Sequence, residues 1–253
     1  MDGKNYSKKE LLKKMVDDTF YYGELNKLAL SSSAIKQLMD SPKTYRNILK
    51  YGSPETQALR DGKLVHQAIL EPKKFSEQIF VNVSSKNSKA YKEAREKYGE
   101  VYTRAEKEYA ERITDHFLRN EYALKCITNS EFEIPNVGMV CGYPFRCKAD
   151  IVTETGIVDI KTTVSKIKNW EYDIDKYSYD VQLYIYCTIF NIPPFAFKFL
   201  VINKKNLDIG YKDGTQKIFD DGKRKTESAL KDFEKYFING EDLDNRIIKI
   251  GED

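Results

Sequence analysis

Hydrophobic positions follow two rhythms along this chain, helical up to about residue 125 and strand-like beyond about residue 131. Residues 1–30 begin lysine-rich and turn aromatic at Phe20, Tyr21 and Tyr22, which predicts a helix and a connecting segment. Ser31-Ser32-Ser33 precede Ile35, Leu38 and Met39, an i, i+3, i+4 set behind a serine N-cap. Ser41-Pro42 closes that helix, and Tyr45, Ile48 and Leu49 predict one or two further turns. Residues 58–70 read as a helix stopped by Glu71-Pro72. From 86 to about 125 a highly charged stretch keeps helical spacing. Within it, Thr103-Arg104-Ala105-Glu106 fits a capping box, in which the Thr and Glu side chains each satisfy a backbone N–H of a helix start.

Past residue 131 the segments FEIPNV, MVCGYPFRCKADIV and GIVDIKTT read as successive strands, with Asn136-Val137-Gly138 and Thr155-Gly156 as turns. Helices are predicted over 165–173 and 177–190, an apolar strand over 195–203, a short strand over 206–211 and an amphipathic helix over 215–238. Strands flanked by helices on both sides predict an α/β (α+β) layer architecture around a central sheet. With no internal repeat and no low-complexity linker, a single domain over 1–253 is expected, helical over 1–125 and sheet-based over 126–253.

The 253 residues carry 42 Lys and Arg against 39 Asp and Glu, so a nucleic-acid surface must come from local clustering and not from overall charge. No apolar run approaches the roughly 18 residues of a membrane span, and the lysine-rich start does not resemble a secretory signal. Cys126, Cys141, Cys147 and Cys187 form no CxxC pair, which argues against zinc. Reduced, mostly buried thiols in a cytoplasmic protein are expected.

The candidate chemistry lies in Lys148-Ala149-Asp150, a short turn, and then Val158-Asp159-Ile160-Lys161. Side chains alternate along a strand, so Asp159 and Lys161 point one way while Val158 and Ile160 enter the core. A hairpin return brings the Asp150 carboxylate near Asp159. Two carboxylates and an ammonium on one sheet face are costly to bury without a purpose. They suit a hard divalent cation such as Mg²⁺, which could polarise a phosphodiester and acidify a water while Lys161 offsets developing charge. A solvent-facing ion pair is the plain alternative for a lone D-x-K.

Four segments in order resemble the RecB-like branch of the PD-(D/E)xK nucleases, and more closely the RecE-type phage exonucleases (exodeoxyribonuclease VIII-like). They are LSSSAIKQLMDSPKTYR at 30–46, the GxxxH helix from Gly62 to His66 with Leu-Glu-Pro at 70–72, Asp150 with Asp159-Ile160-Lys161-Thr162-Thr163, and the QxxxY helix from Gln182 to Tyr186. They span roughly residues 30–205, and Ala149 stands where the family name has proline.

The resemblance implies a restriction-endonuclease-like core with a mixed sheet. It also implies a metal held by His66, Asp150, Asp159 and the Ile160 carbonyl, with Lys161 and Gln182 beside it. A hydrogen-bonded core histidine is the alternative for His66, and a half-buried helix face for Gln182 and Tyr186. A further acidic residue before the central hairpin would be Glu133 or Glu131, with Glu133 preferred. Tyr186, Arg146 and Lys148 are candidate DNA contacts. Lys166, Lys168, Lys198, Lys204 and Lys205 are basic residues of weaker signal. Ser33 and Arg46 match the serine and arginine of a 5′-phosphate pocket. His116 is read as structural.

The implied activity is a Mg²⁺-dependent exonuclease, with Mn²⁺ able to substitute and no iron–sulfur cluster, acting 5′-to-3′ on linear duplex ends to leave 3′ tails. By the same resemblance its partners are double-stranded DNA ends, a single-strand annealing protein and other copies of itself in a ring. Its setting is then a phage or prophage in a bacterial host. Another PD-(D/E)xK endonuclease or repair nuclease, or a DNA-binding module without catalysis, are the alternatives.

Overall fold

Serine and threonine side chains set most of the helix starts. In the computed structural model, which describes residues 6–247, Ser7 caps α1 (Lys8–Lys14), Ser31 caps α2 (Ser32–Asp40) and Thr56 caps α4 (Gln57–Leu70). Ser41 ends α2 and caps α3 (Pro42–Tyr51), whose first turn takes Pro42 because the missing N–H there has no helical partner in any case. After α5 (Pro72–Ser76) and α6 (Lys89–Tyr98), the capping box at Thr103 and Glu106 opens α7 (Arg104–Arg119), followed by α8 (Glu121–Ile127). Two short strands, β1 (Phe80–Val81) and β2 (Tyr102–Thr103), pair in parallel beside this helical arm.

The main sheet contains β3 (Glu131–Val140), β4 (Tyr143–Thr153), β5 (Gly156–Thr163), β6 (Phe197–Asn203) and β7 (Ile209–Asp213), adjacent in that order. Neighbours are antiparallel except β5 and β6, whose parallel pairing needs a crossover. That crossover carries α9 (Glu171–Lys176) and α10 (Tyr179–Phe190), and α11 (Gln216–Phe233) follows the sheet. The fold is thus a mixed five-stranded sheet between helical layers, as the alternation of patterns predicts.

Each face of the sheet has its own core. Phe145, Cys147, Phe197 and Phe199 pack with α2, α10 and α11, whereas Ile151, Val158, Ile160 and Leu200 pack with α4 and α7. Residues from the helical first part and the sheet part share both clusters. A third cluster joins Met15, Phe20, Tyr21, Leu25 and Ala29, with Val137 of β3 packed against it.

The structure corrects several expectations. Asn136-Val137-Gly138 is not a turn: β3 runs through it to Val140, and the reversal falls at Cys141-Gly142. Gly138 serves the layer packing instead, since a Cβ there would lie 3.4 Å from Ile189 of α10. The helix expected over 165–173 is a 3₁₀ turn at Ile167–Asn169 and then α9. Cys141 is exposed, so the thiols are less buried as a set than expected; all four are free. Among the described residues no helix is long and apolar enough to cross a membrane. Residues 1–5 of the lysine-rich start lie outside the described residues.

Candidate active site

The sheet turns over at Asp150. Phe145, Cys147 and Ala149 of β4 face one core, but Ile151, two residues beyond Ala149, belongs to the other. Pairing with β3 is regular on both sides, Ile134 with Ala149 and Phe132 with Ile151, and Glu133 stands opposite Asp150 in the gap between them. Glu133 adopts a left-handed backbone conformation with φ of 53°, which costs a non-glycine residue roughly 1–2 kcal/mol. On the other side, the β4–β5 ladder stops at Ile151–Val158. The Ile160 N–H instead donates to Asp150 Oδ2 at 2.8 Å, so a side chain replaces a strand neighbour at the mouth of a fork.

His66 reaches this fork from α4. Its Nε2 lies 2.7 Å from the Ile160 carbonyl oxygen and 3.5 Å from Asp150 Oδ2. Ligand-type atoms of His66, Glu133 and Asp150 all lie within 4.8 Å of one another, the group of this kind found among the described residues. The electrostatics are those of an unpaired acidic cluster. Burial and the Asp150 charge push Glu133 up to about 7. Burial, with Asp159 adding, pushes Asp150 up to about 6 against the opposing pull of His66. Burial would lower the His66 pKa, but Asp150 and the Ile160 carbonyl outweigh it and raise it.

Asp159 and Lys161 project together from β5, as alternation requires, with Lys161 Nζ 2.7 Å from Asp159 Oδ2. Gln182 on α10 links them: its Nε2 donates to Asp159 Oδ1 at 2.5 Å, and its Oε1 accepts from Lys161 at 3.0 Å. Burial would lower the Lys161 pKa, but Asp159 and Asp150 raise it on balance, so the amine stays charged. Asp159 Oδ2 is buried and, despite the Lys161 contact, receives no hydrogen bond of acceptable angle. Two further residues belong here that sequence reasoning missed. Lys161 and Lys36 of α2 both lie over the Tyr179 ring, at 4.8 and 4.9 Å from its centroid. Burial and the Lys161 charge lower Lys36 to about 7. Lys36 lies within the serine-rich segment at 30–46, but nothing in that segment singles it out; the packing of α2 on α10 brings it there.

His66, Glu133, Asp150, Ile160, Lys161 and Tyr179 line a cleft of about 1110 Å³, and Asp159 and Gln182 reach it through Lys161. Gly62 lines it too, but a Cβ there would meet only Thr162 Oγ1 at 3.9 Å, so close approach of the sheet does not explain the glycine. Ser33, Arg146 and Lys148 also face the cleft. Arg146 is almost fully buried, stacks on Tyr21 at 4.6 Å, donates to Asn26 Oδ1, and leaves its Nε without a partner.

Arg46 departs from expectation, and the other candidates, Tyr186 in the cleft wall among them, take definite places. Arg46 is not in the cleft: it pairs at the surface with Asp244 at 2.7 Å, because α3 turns that face toward the C-terminal segment, so no Ser33–Arg46 pocket forms. The Tyr186 hydroxyl is not offered to solvent; it donates to the Lys148 carbonyl at 2.9 Å and ties α10 to β4. Glu131 is exposed, outside the cluster that holds Glu133. Lys198 pairs with Asp213 beside Tyr211, away from the cleft, whereas Lys204 lines it. His116 is exposed on α7.

One imidazole nitrogen, two close carboxylates and a strand carbonyl, next to the buried Asp159 carboxylate, form a donor set that suits a hard divalent cation. The profile of the PDDEXK-like domain of unknown function (DUF3799) matches residues 31–240. The chain belongs to that family. The four ordered segments of the sequence therefore lie in a PDDEXK-like domain, and its D-x-K strand is β5. A candidate exonuclease from Eubacterium rectale has a crystal structure that aligns with a TM-score of 0.67 at 18% identity, covering 99% of this chain and 97% of that one. It shares the fold over the full length. A phage-related exonuclease from Haemophilus somnus 129PT aligns with a TM-score of 0.37 at 11% identity, covering 86% of this chain and 99% of that one. No curated protein matches the sequence.

Proposed function

We propose that this PDDEXK-like protein is a divalent-metal-dependent deoxyribonuclease that hydrolyses DNA phosphodiesters. The observation that carries the reading is the meeting of His66, Glu133 and Asp150 within 4.8 Å in the cleft that Lys161 also lines, with Asp159 and Gln182 bonded to that lysine behind it. His66, Asp150, Asp159 and the Ile160 carbonyl would hold Mg²⁺ or Mn²⁺, with Glu133 next to them. Such a cation supplies positive charge to a phosphoryl oxygen and acidifies a water. Lys161, kept charged by its carboxylate neighbours, orients the attacking water and offsets charge that grows on the phosphorane-like transition state. Gln182 holds Asp159 and Lys161 in register, so that the ammonium cannot swing away. Arg146 and Lys148 meet the DNA backbone in the same cleft.

Within that reading, the protein acts as an exonuclease on linear duplex, 5′-to-3′, leaving 3′ tails for phage-type recombination. The ordered sequence resemblance supports this, and assembly with further copies around the DNA belongs to the same reading. The test uses end-labelled linear duplex, with and without a 5′-phosphate, and covalently closed circular duplex, in Mg²⁺ and in EDTA. Metal-dependent release of nucleotides from linear DNA only is expected. Nicking of closed circles would make it an endonuclease, and no cleavage of either substrate in Mg²⁺ would leave a binding module.

A further inference from the structure

Lys148 belongs to a cluster whose other members, Asp18 and Lys74, have no part in the reading above. Asp18, in the segment between α1 and the aromatic run at Phe20–Tyr22, inserts its carboxylate between two lysines from distant parts of the chain. Lys148 of β4 donates to Asp18 Oδ1 at 2.7 Å, and Lys74 of α5 donates to Asp18 Oδ2. Among the described residues the other partner of Lys74 is Glu71, at a marginal 3.5 Å. Lys148 also lies over the Tyr21 and Tyr22 rings, at 4.9 and 5.8 Å, so it is held in place from below by groups carrying no charge. All of these residues line the cleft that contains Asp150.

We infer that Lys74 and Lys148 form a binding subsite for a backbone phosphate of the nucleic acid, adjoining the cleavage centre, and that Asp18 holds it as a carboxylate stand-in until the phosphate displaces it. This rests on the nuclease reading of the same cleft. Three features point to it. A carboxylate with both oxygens on ammonium donors has the charge sign and the acceptor spacing of a phosphate edge. Lys148 is two residues from Asp150 on β4, a rise of about 7 Å along the strand, so the lysine and the acidic cluster are neighbours in one cleft. Asp18 is 39% exposed and is borne by a short connecting segment, so it can leave without opening a core, whereas Lys148 is only 11% exposed and fixed on a strand.

The alternative is that Asp18 merely positions the lysines. The two cases give opposite signs. Asp18→Asn removes one negative charge from beside the two lysines. As a displaced stand-in, Asp18→Asn tightens binding of a short duplex in Ca²⁺ by about three- to tenfold at low salt and steepens the log–log salt dependence by about one. Lys74→Met weakens binding and makes that slope shallower by about one. Asp18→Ala serves as a second variant free of amide hydrogen bonds and gives the same direction as Asp18→Asn. Unchanged or weaker binding by both Asp18 variants, with folded circular-dichroism spectra, overturns the subsite and leaves the nuclease reading standing. Failure of the wild-type protein to bind DNA at all removes both.

Discussion

His66 and Ile160, 94 residues apart in the chain, meet at 2.7 Å through an imidazole nitrogen and a strand carbonyl oxygen. The carbonyl is available because the β4–β5 ladder has ended, and Asp150 has taken the Ile160 N–H. An Nε2–H is the tautomer that donates to this carbonyl, so a cation bound at His66 Nε2 would have to displace that proton.

The first prediction follows from that displacement. Glu133 and Asp150 titrate near 7 and 6, above ordinary carboxylates. The folded protein thus binds these protons more tightly than the unfolded chain. Their contribution to stability is full below about pH 4 and is lost as pH rises through about 7. His66, also raised, acts in the same direction. Metal-free protein should lose thermal stability from pH 5 to 7.5, and Mg²⁺ should raise Tm more at pH 7.5 than at pH 5.5. Calorimetry should show protons released on metal binding. A metal-induced Tm shift that does not depend on pH would count against the His66–Glu133–Asp150 site.

Asp159→Ala should abolish cleavage, by at least about a hundredfold, while largely preserving DNA binding, since it removes a cation ligand and not a phosphate contact. Lys161→Ala should be severely impaired in turnover with metal affinity less affected. Single-turnover cleavage and anisotropy on the same preparations separate the two effects. Wild-type rates for Asp159→Ala would refute the assignment.

Glu133→Gly should trade activity for stability. Glycine adopts φ of 53° without the steric cost, and the change also removes a buried carboxylate that repels Asp150. Metal-free stability should rise by about 1 kcal/mol in urea unfolding, while cleavage falls. A loss of stability would show that the Glu133 carboxylate supports the fold.

Arg46 and Arg146 should behave oppositely. Arg46→Ala should leave DNA affinity unaltered, because its guanidinium is engaged with Asp244 outside the cleft. Arg146→Met should weaken binding about tenfold or more and reduce the salt slope by about one, because its buried guanidinium lacks a carboxylate partner. Equal effects of the two, measured by anisotropy over a salt series, would return Arg46 to the DNA-binding surface.

The local elements were legible wherever a cap or a strict period marks them. The Thr103–Glu106 capping box, the Ser31 cap and the alternation of Val158, Asp159, Ile160 and Lys161 are properties of a few neighbouring residues, and each sits where its spacing predicts. Gly138 misled because the same residue serves turns and close packing, and only the proximity of Ile189 distinguishes the two. Glu133 and Glu131 were alike as acidic residues in one strand; the left-handed turn of the backbone at Glu133 chose between them.

By itself, the sequence determined the order of helices and strands, the pairing of Asp159 with Lys161 on one strand face and the family to which the chain belongs. Caps, periods and motif order are all written in residues near one another. Tertiary structure alone decided the rest. It turned the sheet over at Asp150, carried Arg46 to the surface, buried Arg146, brought Lys36 to Tyr179 and set Asp18 between Lys74 and Lys148. These placements depend on how layers pack and where a ladder breaks, which are relations between segments remote in the chain and leave no local pattern.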